Sequence, residues 1–183
     1  MPLNLTRSIL AIIIPGGVAV APWLVLVHRA WPSLSSLYSE FPLLVNGVIF
    51  GVVVVLGTIF ESFGSAKEFR WDKEIEEELG VTENWYQYLA RTVDPEPVAH
   101  RYISRLVTSL YFELTMTFAT MMFALGTSVI AFFSDSRLNV FAGIGLIAAG
   151  LLFSAYFQIQ AKKTHRVLCE TRKELNERID RAA

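Results

Sequence analysis

The chain has 183 residues, 53% of them hydrophobic, a net charge of −1 and a mean hydropathy of +0.43. Near-neutral charge excludes the basic footprint of a nucleic-acid binder. A single cysteine, Cys169, excludes an internal disulfide or a CxxC metal or redox site.

The apolar residues gather in four long runs, and about 20 of them suffice to cross a hydrocarbon core of about 30 Å. The pattern predicts an all-α, multi-pass membrane protein with four transmembrane helices at about 8–27, 43–60, 106–133 and 138–161. A cytoplasmic amphipathic helical insertion, 62–105, and a cytoplasmic helical tail, 162–183, complete it. The lipid bilayer is the first expected partner, and no cofactor is expected.

Run 8–27 carries no charge. Ala19-Val20-Ala21 resembles a signal-peptide cleavage site, but the apolar run continues through Trp23 to Val27 and Pro22 would follow the cut. It therefore reads as an uncleaved helix, kinked or loosened by Pro15-Gly16-Gly17. The connector 28–42 has Trp31, Leu34, Leu37, Tyr38 and Phe41 spaced for a turn lying in the interface.

Run 43–60 contains a GxxxG step, Gly47 and Gly51. It reads first as close packing within the chain, and second as a dimer seam. Val54, Thr58, Glu61 and Ser65 extend the step into a stripe at helical spacing.

In 62–105, SAKEFRWDKEIEEELG predicts a helix ending at Gly80, with Lys67 to Trp71 able to lie along the bilayer. The acidic cluster at 74–78 reads as a solvated face. Thr82 is a candidate N-cap for a short aromatic helix over 82–92. Asp94-Pro95-Glu96-Pro97 breaks it. Glu96 and His100 are weak metal candidates, with spacing unlike the Glu-x-x-His pairs of di-iron proteins, so no metal site is assigned.

Run 106–133 holds one ionisable residue, Glu113. Ser109, Glu113, Thr117, Thr120, Ala124 and Thr127 share one side of this helix. A carboxylate in a span is costly, by about 2.5 kcal/mol or more near the centre, and so marks a candidate site. Glu113 and Glu61 are expected at similar depth near one membrane face, where the pair could hold a cation or share a proton; the competing reading is that Glu61 ionises in the headgroup zone, against Arg105 or Lys67. Thr117, Thr120 and Thr58 would line the same ion or pore site.

Run 138–161 follows so short a connector that it must be the antiparallel neighbour of 106–133. Gly143, Gly150, Ser154, Gln158 and Ala161 mark one side. From Lys162 the helix is expected to continue into the charged tail, where Val167, Leu168, Leu175 and Ile179 form a thin apolar seam that would pack on 62–105 or self-associate.

Fourteen of the sixteen Lys and Arg residues fall with Arg7, 62–105 and the tail. The positive-inside rule then places both termini in the cytoplasm of a cell (inner) membrane protein.

No catalytic or nucleotide-binding motif is present. Two functions fit. One is a homo-oligomeric channel, pore or transport component with acidic residues near the cytoplasmic face. The other is a non-catalytic adaptor, accessory subunit or sensor that meets a protein partner through its cytoplasmic helices.

Overall fold

The computed structural model describes residues 9–83, 85, 98–133 and 137–182; of 98–101, 137–139 and 178–182 the backbone alone is described. The described residues are helical, with no strands, and four helices are long and apolar enough to cross a membrane.

A π-helical turn, Ile9–Ile13, leads into α1, Ile14–Ala30. Pro15 stands just inside α1, where its missing amide costs least. Pro22 lies mid-helix and packs against Gly126. Beside it the Trp23 indole N–H donates to the Met122 carbonyl at 3.3 Å, so α1 is tied to the helix that carries Met122. The connector holds a short helix, α2, Leu34–Glu40, with Trp31, Leu37, Tyr38 and Phe41 exposed.

The long helices are α3, Pro42–Leu79, α4, Val98–Phe132, and α5, Arg137–Ala182. Pro42 opens α3. Gly80 ends it in the left-handed region at φ 55°, with its N–H on the Glu76 carbonyl at 2.8 Å. The predicted stop at Gly80 is therefore present. Thr82 does not act as the expected N-cap: its N–H and hydroxyl both donate to the Glu76 carboxylate, at 3.0 and 3.1 Å. Of the aromatic helix expected over 82–92, only 82, 83 and 85 are described, all helical.

Two expectations are corrected in α3. Lys67 to Trp71 does not form a separate segment free to turn along the bilayer. It continues the same rod, because neither Gly64 nor the charged residues break the helix. Nor does the Gly47/Gly51 step pack within the described chain, since a Cβ at either position would meet nothing within 4 Å. The close approach occurs one face away, where Gly16 and Gly57 bring the backbones of α1 and α3 together. α5 runs unbroken past residue 161 into the tail, with no break at Lys162.

α4 and α5 form the most extensive pairing, as the short connector required. Gly143 receives Phe132, and Gly150 receives Ala124. α4 is central, with 39% of its span buried against 11% for α3. Within the apolar runs the core is Ala19, Phe60 and Ala119, with Phe60 stacked on Phe118 at 6.2 Å. A second core of Trp71, Ile103, Leu110, Leu114, Ala161 and Leu168 joins α3, α4 and α5. It continues through Leu79, Val81 and Cys169. Of the expected tail seam, Leu168 is buried and Leu175 packs on this core, Val167 is exposed, and the side chain of Ile179 lies outside the described residues.

Candidate functional site

The hydroxyls of the polar stripe are committed to their own helices. Thr117 donates to the Glu113 carbonyl at 3.0 Å, Thr120 to the Met116 carbonyl at 2.9 Å, and Thr58 to the Val54 carbonyl at 2.9 Å. This back-bonding satisfies each hydroxyl without water. Thr117 is buried, Thr120 half-buried and Thr58 exposed.

Glu61 and Glu113 are offset in height. Phe60 meets Phe118, and Gly64 meets Leu114. Glu113 is thus level with residues near 65, and Glu61 lies about 6 Å deeper along the helices. Glu113 turns to α5, where the Thr164 hydroxyl donates to its carboxylate. Its Oε2 is buried with no hydrogen-bond partner among the described residues. The α3 carboxylate that reaches α4 near this level is Glu68, which accepts the Tyr111 hydroxyl. Glu96 lies outside the described residues, and so does the side chain of His100.

The structure adds a group from outside the sequence-derived set. Asp72 of α3 meets His165 and Cys169 of α5. The His165 Nε2–H donates to Asp72 Oδ1 at 2.8 Å, and Cys169 Sγ lies 3.9 Å from the same nitrogen. All three potential ligand atoms lie within 4.8 Å of one another. His165 and Cys169 are 2% and 4% exposed, whereas the Asp72 side chain is 33% exposed. Trp71 covers the imidazole, with ring centroids 5.6 Å apart.

The local sequence explains the arrangement. His165 and Cys169 are four apart, one turn along a single face of α5. Leu168 and Ala161 on adjoining positions bury that face against α3 and α4. His165 lies beyond the 138–161 apolar run. Burial of its ring opposes the charge. The hydrogen bonds and charges of Asp72 and Cys169 outweigh burial and push its pKa up to about 9.

Around this centre, α3 and α5 run parallel and are matched by charge. Lys162 pairs with Glu74 at 3.7 Å, and Arg166 with Glu78 at 3.2 Å. Lys173 Nζ donates to the Glu78 carbonyl at 3.1 Å. The acidic cluster at 74–78 is exposed, as a solvated face should be, but two of its members also face these cations. Exposed pairs contribute about 0–1 kcal/mol each, so they fix register more than stability. Near the end of α3, Arg172 stacks over the Trp85 ring at 4.3 Å.

A thiol beside an imidazole also raises the question of nucleophilic chemistry. Here Nε2 is already shared with Asp72, and the thiol is buried. The hollows of about 530 Å³ lie elsewhere: one among Trp23, Val27, Trp31 and Phe133, the other on the outer face of α5 over Gln158 and Lys162. What the cluster offers is one oxygen, one nitrogen and one sulfur donor between two helices.

His165-x-x-x-Cys169 was visible as a same-face pair in the sequence. Its carboxylate partner was not, because Asp72 is 93 residues away. Four apolar helices are compatible with an integral membrane protein, and the chain matches no family model, no characterised protein and no solved structure.

Proposed function

We propose that the chain is a non-catalytic membrane adaptor, an accessory or sensing subunit that works through the helical bundle beyond its apolar runs. One observation carries this reading. α3 and α5 pass without interruption from apolar span into a shared core built on Trp71, Ile103 and Leu168. A rearrangement in that bundle is therefore transmitted along rigid rods into the bilayer, and the reverse. The positive-inside pattern puts this bundle in the cytoplasm, where it would meet a protein partner.

Affinity purification from native membranes after cross-linking tests the reading. A stoichiometric unlike partner, lost when the bundle core is disrupted by Leu168→Ala, is the expected outcome. A clean homo-oligomer that conducts ions in liposomes would overturn it.

A second reading, the homo-oligomeric channel or transport component, is favoured by the outer face of α3. Gly47 and Gly51 have open space around them, and Thr58 is exposed. A second copy packed on this face would bring Thr58 and the adjacent Glu61 towards a shared axis. Glu61→Gln and Glu113→Gln would then change cation flux through reconstituted protein, since acidic rings favour cations.

A further inference from the structure

The role proposed above makes no use of the donors gathered at Asp72, His165 and Cys169. We propose that these three side chains bind one zinc ion, which cross-links α3 to α5 at the centre of the bundle.

The donor set selects the metal. Calcium and magnesium take oxygen ligands, whereas an imidazole and a thiolate beside a carboxylate suit zinc, a borderline-soft ion. The geometry is close to what zinc requires. Tetrahedral bonds of about 2.0–2.3 Å place ligand atoms roughly 3.4–3.6 Å apart. The observed His165–Asp72 and His165–Cys169 separations are 2.8 and 3.9 Å. The first must open by about 0.6 Å and the second close by about 0.3 Å, and the Asp72 and Cys169 donors, within 4.8 Å of each other, must also draw in.

The surroundings are built as well. His165 and Cys169 are almost fully buried on one face of one helix, so their rotamers are limited by packing. Asp72 comes from the facing helix and keeps a third of its side chain exposed, which leaves an entry path and room for water as fourth ligand. Binding replaces the Nε2 proton that His165 shares with Asp72 and the Cys169 thiol proton, and both are released to solvent. No electron transfer is involved. Three protein donors plus water is the open coordination of zinc, but in this bundle the ion serves as a clamp between helices.

The test uses the full chain in detergent or nanodiscs, stripped with chelator and then titrated with zinc or cobalt(II). One zinc per chain should survive gel filtration. Cobalt(II) should give tetrahedral visible bands and a sulfur-to-cobalt charge-transfer band in the near ultraviolet. Cys169 is the only cysteine, so that band reports this site without any variant. Cys169→Ser should abolish the band. Asp72→Asn should weaken zinc binding by at least the tenfold to about hundredfold that loss of an outer-shell partner costs a metal site. Val167→Ala, on the exposed face of α5, should leave zinc binding unchanged. Substoichiometric zinc in the wild type, or cobalt binding with no charge-transfer band, overturns the proposal. So does zinc binding that persists undiminished in folded Cys169→Ser and Asp72→Asn proteins. The wild-type cobalt spectrum decides the matter even where a variant fails to fold.

Discussion

Gly16 of α1 and Gly57 of α3 lie so close that a Cβ on Gly16 would strike the Val53 backbone of α3, and one on Gly57 the Ile12 backbone in the π-helical turn that leads into α1. Gly57→Ala should therefore force the helices apart and destabilise the protein by about 1–3 kcal/mol, the usual cost of overpacking. Gly51→Ala, six residues away with open space around it, should be neutral or stabilising by up to about 1 kcal/mol. Thermal unfolding of the two variants in one detergent checks the contrast. Equal melting temperatures would rule out this crossing.

The Thr164 hydroxyl is the hydrogen-bond donor to the Glu113 carboxylate from across the α4–α5 interface. Hydrogen bonds to charged groups contribute about 1.5–3 kcal/mol. Thr164→Val should cost about that much, and much less when Glu113 has already become leucine. A double-mutant cycle on chemical or thermal unfolding measures this coupling. A coupling of zero would separate the two residues.

Leu168 is fully buried between Trp71 and Ile103, while its neighbour Val167 is 40% exposed. Leu168→Ala should cost about 2–5 kcal/mol as a core truncation. Val167→Ala should stay within about 0.5 kcal/mol, as surface changes do. Limited proteolysis of the two variants would show which residues hold α5 to α3.

Continuity of α3 makes a geometric prediction. One alanine inserted after Ala66 rotates everything beyond it by about 100°. Trp71, Asp72 and Leu79 would leave the face that meets α5, while the apolar span stays in place. The variant should still insert into membranes but lose protease protection of its α5 extension. Retained protection would mean that the extension folds independently of the span.

The apolar parts were legible because dehydrating a helix in hydrocarbon demands long uncharged runs, and four are plain in the chain. The antiparallel α4–α5 pair and the stop at Gly80 followed from connector length and from glycine's tolerance of positive φ. The unbroken extent of α3 was not legible. The shift from apolar to charged residues near Glu61 and Ala161 marks a change of solvent, and a helix passes through it unbroken when Trp71 and Leu168 supply a core on the far side. Residue type also concealed commitment. Thr117 and Thr120 form a polar stripe in the sequence, yet their hydroxyls are spent on carbonyls one turn back. Glu61 and Glu113 looked matched in depth because each lies near a helix end, but the pairing of Gly64 with Leu114 sets them a turn apart. Asp72 and His165 needed the register of α3 against α5 before either could be seen as the other's partner.

The 46 residues of α5 make a rod about 69 Å long, and those after residue 161 account for about 30 Å of it. Charge on a membrane surface fades over a Debye length of about 8 Å in physiological salt. With the membrane face near residue 161, as the end of the apolar run predicts, the far tip of α5 would stand several screening lengths clear of the headgroups. Whatever docks there would sense the local Lys and Glu pattern of the helix and not the lipid composition beneath it.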